Sequence, residues 1–331
     1  MNYIGSKFRL SSWIKDEVIR VVGEELSEKV FCDIFAGTGQ VGRAFKKDVK
    51  KVIANDFEHY SYVLNKNYIF NHEYIEDKDK YLEELNNLPL IDSGFIYNNY
   101  CKGSGSQRQY FSDENGKRID TVRAKIDEWR DTKRIDENLY YFLLASLLES
   151  ADKVANTASI YEAFLKSFKP QALKSFKLLP AEFIVNKNSH EVFNENSNDL
   201  IKKISGDILY LDPPYNHRHY GSQYHILNTI ALNDEFTPKG KTGLREYQRS
   251  DYSIKSKVHN SFEELISDAK FKYIFLSYNN EGLMSEQDVK SIMQRYGEYS
   301  LVKKEYKRFK VQMNKSTNKT FEYLHILEKK S

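Results

Sequence analysis

The chain has 331 residues, enough to bury a full core in one large domain or in a core that carries an inserted subdomain. No stretch approaches the roughly 20 consecutive apolar residues of a membrane span, and Met1-Asn2-Tyr3 runs on without an apolar signal region, so a soluble, intracellular protein with no membrane partner is expected. The formal net charge of +3 is the small difference between many charges of both signs and argues only weakly for a polyanionic partner, while two cysteines, Cys32 in an apolar run and Cys101, leave no disulfide framework and no cysteine metal site.

In chain order, Ser11-Ser12 followed by Trp13, Ile14, Val18, Val21 and Val22 reads as a capped amphipathic helix. A first strand is predicted over Val30 to Phe35, ending in the glycine turn Ala36-Gly37-Thr38-Gly39, with a helix from Val41 to Lys47 behind it. Lys51 to Ala54 forms a second strand closing at Asn55-Asp56, so the chain opens as a βαβ unit. From about Tyr74 to Pro180 the sequence turns polar, aromatic and helical, with a loop at Lys102 to Arg108 and a helix-like run from Leu139 to Val154. Parallel-strand signals return at Asp207 to Leu211 and Tyr273 to Ser277. The end, Tyr299 to Lys307 and Phe321 to Leu327, reads as a β-hairpin. Its connection is basic: Lys303, Lys304, Lys307, Arg308, Lys310, Lys315 and Lys319 are opposed only by Glu305, with Tyr306 and Phe309 interleaved, which suits either nucleic-acid contact or a solvated hairpin.

Two segments carry chemistry. Phe35-Ala36-Gly37-Thr38-Gly39 closes a strand where glycines let backbone N–H groups approach a ligand, and Asp56 follows the next strand, placed to accept from two ribose hydroxyls. Extended by Gly42 the pattern also matches a dinucleotide site, so an adenosine-containing cofactor is indicated but NAD stays open. Asp212-Pro213-Pro214-Tyr215 then follows the strand at 208–211. Two prolines hold the backbone away from helix, so the Asp212 carboxylate and the Pro213 carbonyl project together as acceptors for the two hydrogens of an exocyclic NH₂, with the Tyr215 ring as a face for a flipped base. An NAD-linked oxidoreductase has no use for such a segment. Neither cysteine stands in a Pro-Cys setting, which disfavours cytosine carbon methylation, and no His or Cys cluster has metal-ligand spacing.

In this order the pieces resemble the D12 class of N6-adenine DNA methyltransferases, over nearly the whole chain. The resemblance implies an α/β methyltransferase (Rossmann-like) fold with a mainly parallel sheet and a terminal antiparallel hairpin. It implies a cofactor-binding part at residues 1–74, a helical target-recognition insert at 75–180 and a catalytic part at 181–331. S-adenosylmethionine is the implied cofactor, adenine N6 in double-stranded DNA the implied acceptor, and a restriction endonuclease reading the same site, in a prokaryotic cytoplasm, the implied partner. Tyr3-Ile4-Gly5-Ser6-Lys7 looks like the family's N-terminal motif, in which the places of Tyr3 and Lys7 hold the methionine part of the cofactor. Arg108-Gln109-Tyr110-Phe111 and the run from Ala155 to Lys166 resemble the branch with the FokI-type methyltransferases. The family usually carries an acid that reads the cofactor's adenine ahead of the catalytic strand; here Asn196 stands in that place, with Asp199 as the alternative. Arg108, Arg218, Lys241, Arg245, Lys307, Arg308 and Lys310 are the candidate DNA contacts. N4-cytosine methylation is the neighbouring reading, since cytosine presents an amino group to the same acceptors, and a catalytically silent DNA-binding module is a third.

Overall fold

Val30-Phe31-Cys32-Asp33 forms the strand β1, whose Phe31, Cys32 and Asp33 are all buried. Such an unbroken buried run suits a strand covered on both faces, as parallel sheets are. The computed structural model describes residues 5–307 and 319–330. Beside β1 lie β2 (Lys51–Asn55) and β4 (Ser205–Leu211), both parallel to it. The short β3 (Glu191–Phe193) pairs with the outer side of β2, and β5 (Lys270–Asn279) runs parallel to β4. Beyond β5 the hairpin of β6 (Gly297–Lys307) and β7 (Lys319–Lys329) closes the sheet, with β7 antiparallel to both its neighbours. The seven strands stand in the order β3-β2-β1-β4-β5-β7-β6, so the sheet is the mainly parallel one with a terminal antiparallel hairpin that the sequence implies. Order reverses between β1 and β4, and the carboxyl ends of those two strands border the crevice where open α/β sheets bind ligands.

The elements start and stop close to their expected places, with physical reasons for the differences. β1 ends at Asp33 rather than Phe35, because the chain turns to let the Ala36 N–H donate to the Asn55 carbonyl at 2.8 Å. The first helix is Ser11–Val22 and buries Ile14 and Val18 one turn apart, but Ser11 is not its cap. Leu10 holds that position with no side-chain hydrogen bond, and the Ser11 hydroxyl donates instead to the Phe8 carbonyl. The helix behind the glycine turn is Gln40–Phe45, anchored by a stack of Phe45 on Phe31 with ring centroids 4.1 Å apart.

Two compact units divide the chain, each with its own core. The sheet unit takes Ser6–Phe57, Asn186–His219 and Arg249–Ser331. The helical unit takes Met1–Gly5, Glu58–Val185 and Tyr220–Gln248, so the segment expected as an insert falls within a larger body. Its main helices are His59–Asn65, prolonged by a π-helical turn at Lys66–Phe70, then Asp113–Asp131, Glu137–Lys153 and His225–Leu232. Ser112 and Asp136 cap the two longest, each accepting from a backbone N–H three residues on. Tyrosines fill this core with their hydroxyls engaged: Tyr110 donates to the Tyr161 carbonyl at 2.7 Å and Tyr161 to Asp152 at 3.0 Å. That is how so aromatic and polar a segment packs. Among the described residues no helix is long and apolar enough to cross a membrane.

Candidate active site

The glycine turn leaves β1 through Gly37 and Gly39, at φ of 52° and 74°, where a side chain would strain the backbone. Asp56, at the end of β2, accepts from the Gly37 N–H at 2.7 Å, so the turn and the acid expected to hold a ribose are joined directly. Ala36 and Thr38 are buried in the turn, and Phe35 packs edge-on against Tyr252 at 5.0 Å. Buried Asn55 ties the neighbouring strand ends: its amide donates to the Ile34 and Glu195 carbonyls and its oxygen accepts from the Glu195 N–H. The loop so fixed presents Asn196 and Asp199, both exposed, with the Asn196 oxygen accepting from the Asn198 N–H at 2.8 Å.

Asp33 escapes a reading from sequence, because one acid at a strand end looks like any other. It is fully buried beside the glycine turn, and its Oδ1 has no hydrogen-bond partner among the described residues. Burial pushes its carboxyl well above the usual range, Asp212 and Asp56 add to this, and the Gly42 and Phe35 backbone N–H groups oppose it. A buried carboxylate with an unpartnered oxygen suits a ligand that brings positive charge, as the sulfonium and ammonium of S-adenosylmethionine would.

Asp212 stands just past the end of β4, followed by buried Pro213 and half-buried Pro214 and Tyr215. Its Oδ1 accepts from Nζ of Lys7, the residue expected at the cofactor's methionine part, at 2.9 Å. The same ammonium lies 3.2 Å from Glu322 of β7, and Glu322 accepts from the Ser277 hydroxyl of β5 at 2.5 Å. Burial raises the Asp212 carboxyl to about 6, Lys7 opposes that and Glu322 reinforces it. Burial works against the charge on Lys7, yet Asp212 and Glu322 outweigh it and hold the ammonium well above its usual range. Tyr215 is braced by the Leu283 N–H, which donates to its carbonyl at 2.9 Å, and by an edge-on contact with Tyr278 at 6.4 Å.

The candidate DNA contacts fall in both units. Arg108 spends its guanidinium on the carbonyls of Asn99, Gly240 and Lys241, which shapes the tight Lys239 to Leu244 turn and leaves Lys241 exposed. Arg245 makes a bidentate pair with Asp234 and lies over the Phe236 ring. Both arginines thus have structural partners in the helical unit. Arg218, exposed, belongs to the sheet unit. Lys307 ends β6, whereas Tyr3, Arg308 and Lys310 lie outside the described residues. Among the described residues no three His, Cys, Asp or Glu side chains stand together as a metal site.

Residues 3–292 match the family of D12 class N6 adenine-specific DNA methyltransferases. The type II methyltransferase M.NlaIII of Neisseria lactamica is 62% identical over 99% of both chains. M.CviAII of Paramecium bursaria Chlorella virus 1 is 35% identical over 99% of this chain and 98% of its own. M.FokI of Planomicrobium okeanokoites is 37% identical over 99% of this chain, which spans 53% of that longer protein. With the glycine turn, Asp56 and the Asp-Pro-Pro-Tyr segment at the ends of three adjoining strands, the chain belongs to the D12 class of N6 adenine-specific DNA methyltransferases, with S-adenosylmethionine as methyl donor.

Proposed function

We propose that this methyltransferase acts on an adenine flipped out of duplex DNA, transferring the methyl directly and in line, as the modification partner of a restriction endonuclease that reads the same site. The observation that carries this is the Asp212 carboxylate, held by Lys7 just past β4 beside the glycine turn of β1. When bound, S-adenosylmethionine supplies an electrophilic methyl on its sulfonium and departs as S-adenosylhomocysteine. Gly37, Gly39, Asp56 and Asn196 or Asp199 hold its nucleoside, and Asp33 faces its positive end.

The N6 nitrogen is conjugated to the purine and a poor nucleophile, so its lone pair must be aimed. The Asp212 carboxylate and the Pro213 carbonyl accept its two hydrogens and turn the lone pair toward the methyl carbon. As the N–C bond forms the nitrogen becomes positive, and the adjacent carboxylate stabilises that charge before a proton leaves. Tyr215, braced by Leu283 and Tyr278, returns part of the lost base stacking. Membership of the family removes the oxidoreductase reading of Gly37, Gly39, Gly42 and Asp56. An endonuclease partner is supported by relatives that are themselves type II methyltransferases, and a cytoplasmic location accords with acting on chromosomal DNA.

The test pairs 2-aminopurine at the target position with methyl transfer from labelled cofactor. Flipping predicts a fluorescence rise on binding. Asp212→Ala is expected to lower single-turnover transfer by about 10² to 10³ while cofactor affinity survives. Wild-type-like transfer by that variant, or no fluorescence change on a productive duplex, would sink the corresponding part of the reading.

A further inference from the structure

Glu322 lies beyond residue 292, where the family match ends, yet it is 2% exposed and reaches the catalytic segment through one side chain. An acid so deeply buried needs a reason, since removing a carboxylate from water costs several kcal/mol unless it is well paired. Its partners are Lys7 Nζ at 3.2 Å and the Ser277 hydroxyl at 2.5 Å. Lys7 is therefore a single ammonium shared by two carboxylates, Glu322 and Asp212. β7 carries Glu322 opposite Asn279 of β5, so the terminal hairpin delivers this acid to the end of the parallel sheet.

We propose that Glu322 is a positioning residue for methyl transfer, acting through Lys7 to hold the Asp212 carboxylate in place while drawing part of the ammonium's charge away from it. This rests on Asp212 as the acceptor for the target amino group. If Lys7 faced Asp212 alone, its full charge would neutralise the carboxylate that must accept the amino hydrogen. With Glu322 on its other side, the ammonium fixes the carboxylate without using up its acceptor strength. The groups that act on Asp212 are Lys7 from the N-terminal segment, Glu322 from β7, Tyr210 on β4 and Asp33 at the end of β1. Of these only Lys7 is cationic. Removal of the Glu322 charge should therefore make Asp212 easier to ionise.

The test is Glu322→Gln in the full-length enzyme, a variant of nearly the same shape that can still accept from Lys7 and Ser277. kcat/KM against pH reports the free enzyme, and calorimetry with S-adenosylmethionine reports the cofactor site. The wild-type acid limb should lie near the Asp212 value of about 6. In Glu322→Gln it should move down by about one pH unit, and the plateau should fall by about tenfold, with cofactor affinity unchanged. A limb that stays in place overturns the proposal whatever the plateau does, and a parallel loss of cofactor affinity overturns it by making Glu322 part of the cofactor site. If Glu322→Gln fails to fold, Glu322→Asp decides: it keeps the charge but withdraws it, so a lowered kcat with unchanged cofactor affinity supports the role and a wild-type kcat removes it. Asp212→Asn separates the two claims. Retained turnover there would take away the acceptor reading and this proposal with it, whereas an inactive Asp212→Asn beside an unmoved Glu322→Gln limb removes this proposal alone.

Discussion

Asp56 holds one carboxylate oxygen on the Gly37 N–H, which fixes the acid against the glycine turn. Asp56→Ala should weaken S-adenosylmethionine binding by about 1.5 to 3 kcal/mol, the cost of charge-assisted hydrogen bonds to the ribose, and leave transfer at saturating cofactor much less affected. Calorimetry together with transfer at saturation checks this; unchanged affinity would take Asp56 out of the cofactor site. Asp56 and Asp212 are legible in the sequence because each comes directly after an apolar strand, Asp212 with two prolines behind it. Lys7 is singled out only by the family resemblance, and its partner not at all, since the two lie 205 positions apart and only folding joins them. Asp33 and Glu322 are invisible for the same reason: neither belongs to a local pattern, and their burial alone marks them.

At the scale of elements, the buried parallel strands β1, β2, β4 and β5 announce themselves as apolar runs ended by polar or turn residues. β3 does not. Its three residues are all half-buried, so Glu191-Val192-Phe193 shows no run to read, although it completes the side of the sheet that carries Asn196. The π-helical turn at Lys66–Phe70 is likewise silent in sequence, as its composition suits an ordinary helix. Asn55 supplies what the short β3 cannot: three hydrogen bonds that tie the ends of β1 and β2 to Glu195. Asn55→Ala strands those backbone groups without a partner and should cost about 1 to 3 kcal/mol of stability. Loosening of the loop should also weaken cofactor binding. Denaturant melts with calorimetry test it, and full cofactor affinity in a destabilised variant would confine Asn55 to stability.

For the whole molecule, the return of parallel-strand signals after a long helical stretch shows in the sequence that an α/β core is interrupted. It does not show where the interruption is bounded, because Glu58–Val185 is joined in its unit by Tyr220–Gln248, a segment that follows the catalytic motif. The two hydrophobic clusters share no residue, and each unit holds one of the two tryptophans: Trp13, half-buried, in the sheet unit and Trp129, fully buried beneath Tyr81 and Arg134, in the helical unit. Every described candidate for holding the cofactor lies in the sheet unit. A ligand that binds the native state at 100 times its dissociation constant stabilises what it binds by about 2.7 kcal/mol. In Trp129→Phe the remaining Trp13 reports the sheet unit, and the unfolding free energy it reports should rise with S-adenosylmethionine by that amount. In Trp13→Phe the remaining Trp129 reports the helical unit, whose separate core should respond less. At the same cofactor concentration Asp56→Ala should shrink both responses, in the sheet unit to about 0.3 to 1.3 kcal/mol. A larger shift at Trp129 than at Trp13 would place the cofactor's stabilising contacts in the helical unit and contradict the assignment of Asp33, Asp56 and the glycine turn.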